Sequence, residues 1–254
     1  MAAVSRARND GAPLYAGTAG WTLPRDEQPR FPGEGSHLRR YAAVLPAAEI
    51  NTSFYRSHRA STWERWAAQV PEDFRFSAKL PRAITHTARL VDADAALDGF
   101  LAEVGHLGDR LGCVLVQLPP SLRFGAEVAG AFFRALRERH AGAVACEPRH
   151  ATWFTPEADA LLAGASVARV AADPARAPGA DEPGGWAGLA YWRLHGSPRM
   201  YYSAYEPAYL AALAARIAEA RRRGPVWCIF DNTTLGAATG NALDILQRLT
   251  SPAE

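Results

Sequence analysis

Short runs of apolar residues recur along the chain, separated by longer stretches in which apolar residues return every three or four positions. Runs of the first kind read as strands and stretches of the second as helices, so the chain reads as repeated strand–helix units. The strands are LYAGTAG (14–20), AAEIN (47–51), RFSAKL (75–80), CVLVQLP (113–119), AVACEPR (143–149), SVARVAAD (166–173), LAYWRLHG (189–196) and VWCIFDN (226–232). Helices are clearest over 92–107, 125–140, 207–223 and 240–250. In the second of these, Val128, Phe132, Phe133 and Leu136 form one face, while Arg134, Arg137, Glu138 and Arg139 mostly face solvent. Asp92 and Pro207 suit helix starts, and Gly224 a helix stop.

Eight strands alternating with helices predict an α/β fold, a single (β/α)8 TIM barrel, for which 254 residues is an ordinary length. One link breaks the pattern. PARAPGADEPGGWAG, between the sixth and seventh strands, is rich in Pro and Gly and lacks helical periodicity, so that helix is expected to be missing or reduced to a turn. The barrel is expected over residues 14–250, with a flexible N-terminal tail at 1–13 and a short tail at 251–254.

Alternate residues of a strand face the same side, and barrel active sites gather where strands end. The polar residues that share inward parity near the strand ends are Glu49 and Asn51, Ser77 and Lys79, Gln117, Glu147 and Arg149, and Arg193 and His195, while the sixth strand ends at Asp173 and the eighth at Asp231 and Asn232. The opposite ends (LYAG, CVLV, AVAC, LAYW) are bland. Gathering so many ionisable groups at one mouth costs several kcal/mol per unpaired ion, which points to a site. A self-neutralised network that plugs the barrel is the alternative.

Of the 28 basic residues, all but Lys79 are arginine, which fits a GC-rich codon bias but leaves the surviving lysine to explain. Lysine alone among the two can become a neutral amine near pH 7 and act as base or Schiff-base nucleophile. Alternatively, a narrow pocket between Glu49 and Glu147 admits an ammonium and not a guanidinium, and the two carboxylates are then expected to raise the lysine's pKa. Arg149 and Arg193 make an anion clamp suited to phosphate or carboxylate. Glu147, His150 and His195 are acid/base candidates. Trp21, Phe54, Tyr55, Trp153, Phe154, Tyr201, Tyr202 and Tyr205 follow strands and rim the same end, where core packing beneath loops is the alternative and the expected one for Phe54 and Phe154; Tyr201, Tyr202 and Tyr205 lie on a polar loop suited to ligand contact.

Other chemistry is missing from the sequence. There is no GxGxxG, no GxxxxGK[ST], no HExxH and no nucleophile elbow. Glu49, Glu147, His150, His195 and Asp231 could be drawn as a metal site, but a lysine and two arginines in the same mouth oppose a divalent cation, so no cofactor is expected. Cys113, Cys146 and Cys228 are an odd, scattered set that suits a reducing cytoplasm, the expected location. No apolar stretch approaches a membrane span, and MAAVSRARNDGAP has no apolar run of the kind a signal peptide carries. A net charge of +2 gives nucleic acid little to hold.

GTAGW, EINTSFYRSHRASTWERWAAQVPEDFRFSAKLPRAITH, VLVQLPPSL, CEPRHATWF, YWRLHGSP and IFDNTTLGAATGNA, in that order, resemble the blocks of the DUF72 (YecE-like) family from residue 15 to about 250. The resemblance implies a TIM barrel. It implies little about activity, because the family is named for having no established function; a likeness of some members to metal-dependent endonuclease barrels of the xylose-isomerase-like group suggests a DNA-related role by analogy only. The family's polar positions match Glu49, Asn51, Tyr55, Lys79, His86, Gln117, Glu147, Arg149, His150, Arg193, His195 and Asn232. Two departures stand out: Asp231-Asn232 replaces a usual pair of asparagines, and GTAGW has alanine where serine is commoner.

The expectation is an enzyme acting on a small phosphorylated or carboxylated, sugar-like metabolite. In it Arg149 and Arg193 hold the anion, Glu49, Glu147 or His195 serves proton transfer, Lys79 anchors the reacting group, and Trp21, Asn51, Tyr55, Gln117, His150, Tyr202, Tyr205, Asp231 and Asn232 line the site. The rivals are a nucleic-acid-binding or endonuclease-like barrel using Arg221, Arg222 and Arg223, and a ligand-binding barrel without turnover. The oligomeric state is not read from the sequence.

Overall fold

The computed structural model describes residues 11–250. Ten strand segments, β1 (Leu14–Ala19), β2 (Ala47–Ile50), β3 (Arg75–Lys79), β4 (Leu111–Gln117), β5 (Val144–Glu147), β6 (Val167–Arg169), β7 (Ala171–Asp173), β8 (Gly184–Gly185), β9 (Ala190–Leu194) and β10 (Val226–Phe230), run in the order β7-β9-β10-β1-β2-β3-β4-β5-β6-β8. All neighbours are parallel except β6 with β8. The two ends of that order meet through the chain itself, because β6 and β7 are halves of one stave divided at Val170. The first half pairs with β5 and the second with β9, which closes an eight-stave barrel. The sixth strand is thus where expected but changes partner midway. Its expected first residue, Ser166, has φ 55° and lies outside it.

Seven helices cover the outside: α1 (His37–Ala42), α2 (Ala60–Ala68), α3 (Asp94–Gly105), α4 (Ala126–Arg139), α5 (Pro156–Gly164), α6 (Pro207–Arg221) and α7 (Ala237–Thr250). Pro207 opens α6 as expected, whereas α3 begins at Asp94, because Asp92 has a positive φ of 49° that a helix cannot use. In α4, Phe132, Phe133 and Leu136 are buried, but Val128 in its first turn is exposed, and Arg137 folds back onto the carbonyls of Ala165, Ser166 and Gly142. No helix follows β7. The loop in its place is held by Arg169, which pairs with Asp159 of α5 and donates to the carbonyls of Gly179 and Glu182, and by Arg216 of α6, which pairs with Glu182. Between this loop and α6 lies a flank groove of about 700 Å³, away from the barrel mouth and lined by Trp186, Trp192, Arg216 and Glu219 among others.

Two apolar cores follow from strand alternation. Outward residues such as Ala48, Phe76, Val114, Val116, Trp192 and Phe230 pack under the helices. Inward residues Ala47, Cys113, Leu115, Ala145, Ala168, Val170, Tyr191, Trp227 and Ile229 fill the barrel. Its floor is aromatic: Trp227 lies 5.7 Å from Tyr191 with rings parallel to within 3°, and 4.7 Å from Tyr15. Gly17 is required where β1 meets β2, since a Cβ there would sit 1.9 Å from the Ala47 carbonyl oxygen. Of the expected N-terminal tail, residues 12 and 13 bond to the barrel: Ala12 N donates to the Arg221 carbonyl and Val226 N to that of Pro13. Residues 1–10 and 251–254 lie outside the described residues. Among the described residues no helix is long and apolar enough to cross a membrane.

Candidate active site

Above the aromatic floor the inward positions turn ionic. Arg193 on β9 is 0 % exposed and spends its guanidinium on three carboxylates. Nε and Nη2 bond Glu49 Oε2 and Oε1 at 2.9 and 2.6 Å, Nη1 bonds Glu147 Oε2 at 2.5 Å, and Nη2 also reaches Asp231 Oδ2 at 3.1 Å. Burial alone would favour a neutral Arg193, but Glu49, Glu147 and Asp231 outweigh it and hold the charge firmly. Tyr191, two residues earlier on the same face, places its hydroxyl 3.1 Å from Glu49 Oε2 and 3.0 Å from Ser77 Oγ. Burial, with Glu49 adding to it, pushes that phenol well above its ordinary pKa, so it stays a donor.

The next layer surrounds His195. Its Nδ1 lies 3.0 Å from Asp231 Oδ2 and its Nε2 3.0 Å from Glu147 Oε1; carboxylates only accept, so each contact is a hydrogen bond only where that nitrogen carries a proton. Burial tends to raise the Glu147 pKa, yet Arg149, Arg193 and His195 together hold it well below the carboxylate range. Asp231 is likewise held down against burial by Arg193 and His195. Arg149 bonds Glu147 Oε1 through Nε at 2.9 Å, while its two terminal nitrogens have only long contacts, 3.5 Å to the Tyr201 hydroxyl and 3.4 Å to His195 Nε2. One edge of this guanidinium is therefore only loosely engaged by the protein.

Lys79 stands apart from the network. It is 8 % exposed, its Nζ lies 4.1 Å from the centre of the Phe54 ring, and among the described residues it has neither a hydrogen-bond acceptor nor an ion-pair partner. The nearby carboxylates are turned to Arg193, Arg149 and His195. The sequence expectation that Glu49 and Glu147 raise its pKa is overturned. Burial, reinforced by Arg193, outweighs them and lowers it from 10.5 to about 8. Beside it, His86 meets Phe54 edge-on at 4.9 Å and has Nδ1 2.9 Å from Thr85 Oγ1; burial, then Lys79, Arg82 and Arg149, lower its pKa. On the neighbouring strands, the side-chain amides of Gln117 and Asn51 have no partner among the described residues, and the Asn51 Oδ1 is fully buried.

Several expected site residues are placed elsewhere. Arg193, saturated by carboxylates, has no face left for an anion, and Glu49 is sealed beneath it. Trp21 packs edge-on against Trp66 and Phe76 in the layer between strands and helices. Tyr205 is buried, accepting from Gly196 N and donating to Asp173 Oδ1, so the polar loop 197–205 turns this ring inward. Asn232 is 0 % exposed and donates to the Ser203 carbonyl and to Asn241, tying that loop down. His150 accepts from Thr152 N and starts a short turn over 151–153. Tyr55 is exposed against Phe54, and Tyr202 lies under the Arg199 guanidinium at the rim. Phe54 is buried as the bed of Lys79, Trp153 is buried and bonded to the Leu122 carbonyl, and Phe154 lies under Arg169. Tyr191 was absent from the sequence reading although its parity with Arg193 and His195 marks it; its segment had read as bland.

Among the described residues no three His, Cys, Asp or Glu side chains form a set that could hold a metal ion, because the carboxylates are directed at guanidinium and imidazole groups. Asp231, where the resembling family carries asparagine, is a working member of the ionic network.

Comparison with known proteins agrees with the architecture. The described barrel superposes on a DUF72 family protein from Thermotoga maritima MSB8 with a TM-score of 0.77, at 23 % identity over 94 % of this chain and 100 % of that one. A DUF72 family protein from Enterococcus faecalis V583 gives the same TM-score at 19 % identity, over 95 % and 97 %. A xylose isomerase-like TIM barrel/4-hydroxyphenylpyruvate dioxygenase fusion protein matches at 0.52 and 15 % identity, over 94 % of this chain and 42 % of that one. In sequence, the UPF0759 protein YecE of Escherichia coli K12 is 34 % identical over 98 residues, which span 38 % of this chain and 36 % of the length of that relative. Residues 15–254 match the family described as "Protein of unknown function DUF72", and the chain belongs to that family.

Proposed function

We propose that this barrel is an enzyme acting on a small phosphorylated or carboxylated metabolite at its C-terminal mouth. The observation that carries the reading is Lys79: a nearly buried amine that rests on the Phe54 ring with no hydrogen-bond or ion-pair partner among the described residues, in the same barrel mouth as the loosely engaged edge of Arg149 and the amides of Gln117 and Asn51, which likewise have no partner among the described residues. A protein gains nothing in stability from a desolvated, unpaired cation, so such a group is kept for what it does to a ligand. Arg149 receives the anionic group in a bidentate fork, Gln117 and Asn51 bond the polar body, and Lys79 faces the reacting centre. Glu147, His195 and Asp231 form the chain along which a proton moves, with Arg193 fixing its geometry from below.

The nucleic-acid reading is less favoured by the placement of its arginines. Arg221 bonds the Ala12 carbonyl and Arg222 pairs with Glu219, both beside the start of β1 and therefore at the end of the barrel opposite the rim aromatics.

The test is a panel of phosphorylated and carboxylated metabolites, read by thermal shift and turnover in the unaltered chain and in Arg149→Met and Lys79→Met. Stabilisation that Arg149→Met abolishes, with turnover that both variants lose, is the expected result. Stabilisation without turnover makes this a binding barrel, and no shift with any compound sinks the proposal.

A further inference from the structure

We infer that Lys79 works by covalent catalysis, its amine condensing with the carbonyl carbon of an anionic aldehyde or ketone. This rests on the reading above and narrows the substrate class from small anions to those carrying a C=O group one short span from a carboxylate or phosphate.

The geometry argues against a fixed cation. A lysine kept for its charge is placed on a carboxylate, and three carboxylates stand in this mouth. The protein commits Glu49, Glu147 and Asp231 to Arg193, Arg149 and His195, leaving the one amine on an aromatic face. An arginine at position 79 would supply a stronger fork to any anion, and arginine is what this chain uses at every other basic position. What lysine adds is a nitrogen lone pair.

The surroundings serve each part of the condensation. With Arg149 on the anion, the neutral amine adds its lone pair to the carbonyl carbon; a C–N bond forms and the C=O π pair moves to oxygen. His86, which shares the Phe54 ring with Lys79 and has a ring nitrogen free among the described residues, accepts the proton lost by nitrogen and returns it to that oxygen. A second proton, taken from solvent, lets the C–O bond break with loss of water. The product is an iminium ion, and its positive charge lies over the Phe54 face that now carries the ammonium. The balance is amine plus carbonyl plus one proton giving iminium plus water, with no change of oxidation state. Gln117 and Asn51 are placed to bond the oxygen as it changes from carbonyl to leaving hydroxyl.

The full chain is incubated with pyruvate and, separately, with glyceraldehyde 3-phosphate, then reduced with borohydride and analysed by intact mass and peptide mapping. The expected result is one reduced adduct on the peptide holding Lys79. It should form at least about tenfold faster at pH 7.5 than on the urea-unfolded chain, because a depressed pKa raises the free-amine fraction. It should be absent in Lys79→Arg and slowed in Arg149→Met. The two compounds separate a carboxylate-bearing from a phosphate-bearing substrate. Binding of either probe, seen as an Arg149-dependent thermal shift, without an adduct at Lys79 overturns the covalent step and leaves the anion site standing. An adduct no faster than on the unfolded chain overturns it equally. Absence of any Arg149-dependent shift overturns the anion site itself.

Discussion

Lys79→Met should make the protein more stable while removing the turnover proposed above. Methionine keeps the apolar stem against Phe54 and deletes the ammonium, which has the Phe54 ring face but no hydrogen-bond or ion-pair partner among the described residues. The amine's pKa falls from 10.5 unfolded to about 8 folded, so the charged form is disfavoured in the fold by roughly 3 kcal/mol, at about 1.4 kcal/mol per tenfold change. The sign follows from proton counting. Below pH 8 both states hold the proton and the full cost is present. Between pH 8 and 10.5 the folded state has released it while the unfolded state keeps it, so the native chain gains stability as pH rises. Above 10.5 both are neutral and the cost is gone. Lys79→Met should therefore raise Tm by roughly 5 °C at pH 7, taking about 2–4 °C per kcal/mol for a chain of this size and allowing for imperfect repacking. Its advantage over the unaltered chain should shrink from pH 8 to pH 10.5. Paired thermal melts at pH 7 and 10, both chains in the same buffers, read the difference directly, since other titrations cancel. A Tm that falls at pH 7, or an advantage that does not change with pH, would refute the claim that the burial cost of the Lys79 ammonium outweighs the carboxylates and the ring around it.

Arg193→Lys should act in the opposite sense. One ammonium cannot span Glu49, Glu147 and Asp231, so buried carboxylates are left short of donors at about 3–5 kcal/mol, visible as a large drop in urea midpoint; a midpoint close to the original would mean the network contributes no stability. Gly17→Ala should cost at least the upper end of the roughly 1–3 kcal/mol typical of overpacking, since its Cβ meets the Ala47 carbonyl oxygen at 1.9 Å; soluble protein with unchanged Tm would show that β1 and β2 can part there. Cys113, Cys146 and Cys228 are all buried with thiol pKa values pushed up mainly by burial, so a disulfide reagent at pH 8 should modify none of them until denaturant is added. Rapid modification of any one in the native state contradicts that placement.

Strand alternation made the barrel and the mouth legible, and where it failed the reason is local. The parity that put Glu49, Lys79, Glu147, Arg193 and His195 on one surface is the parity of the inner face, so those residues converge as the pattern requires. Pattern cannot say which carboxylate turns to which cation, because that is settled by side-chain reach across the barrel. Arg193 spans to Glu49 and Glu147 and fills the space in which an anion clamp had been expected. Loop residues were less legible still. Tyr205 and Tyr202 share a polar loop, yet one is buried on Asp173 and the other lies at the rim, a difference set by the Asn232 and Asn241 ties beneath. The switch of partner at Val170 also left no mark on composition, since each half is a short run of small apolar residues ending in one charged residue, Arg169 or Asp173.

The mouth is divided, and the division argues against a plug. A network that served only to close the barrel would neutralise itself all round, since each unsatisfied buried group costs about 1–3 kcal/mol. On the side of β5, β9 and β10 that is what the chain does: Glu147, Arg193, His195 and Asp231 satisfy one another within about 3 Å. On the side of β2, β3 and β4 it does the reverse, leaving Asn51, Lys79 and Gln117 without partners among the described residues, shoulder to shoulder at three adjacent strand ends. Arg149 stands at the boundary, one nitrogen in the network and its terminal pair only loosely engaged. The satisfied half is cross-braced by its ion pairs, which on the proposed reading holds a proton chain in register; the other half keeps its polar groups uncommitted, which on the same reading is where a ligand binds. The proposed ligand, with an anionic end for Arg149 and a carbonyl for Lys79, would meet that half without rearranging the half that is already satisfied.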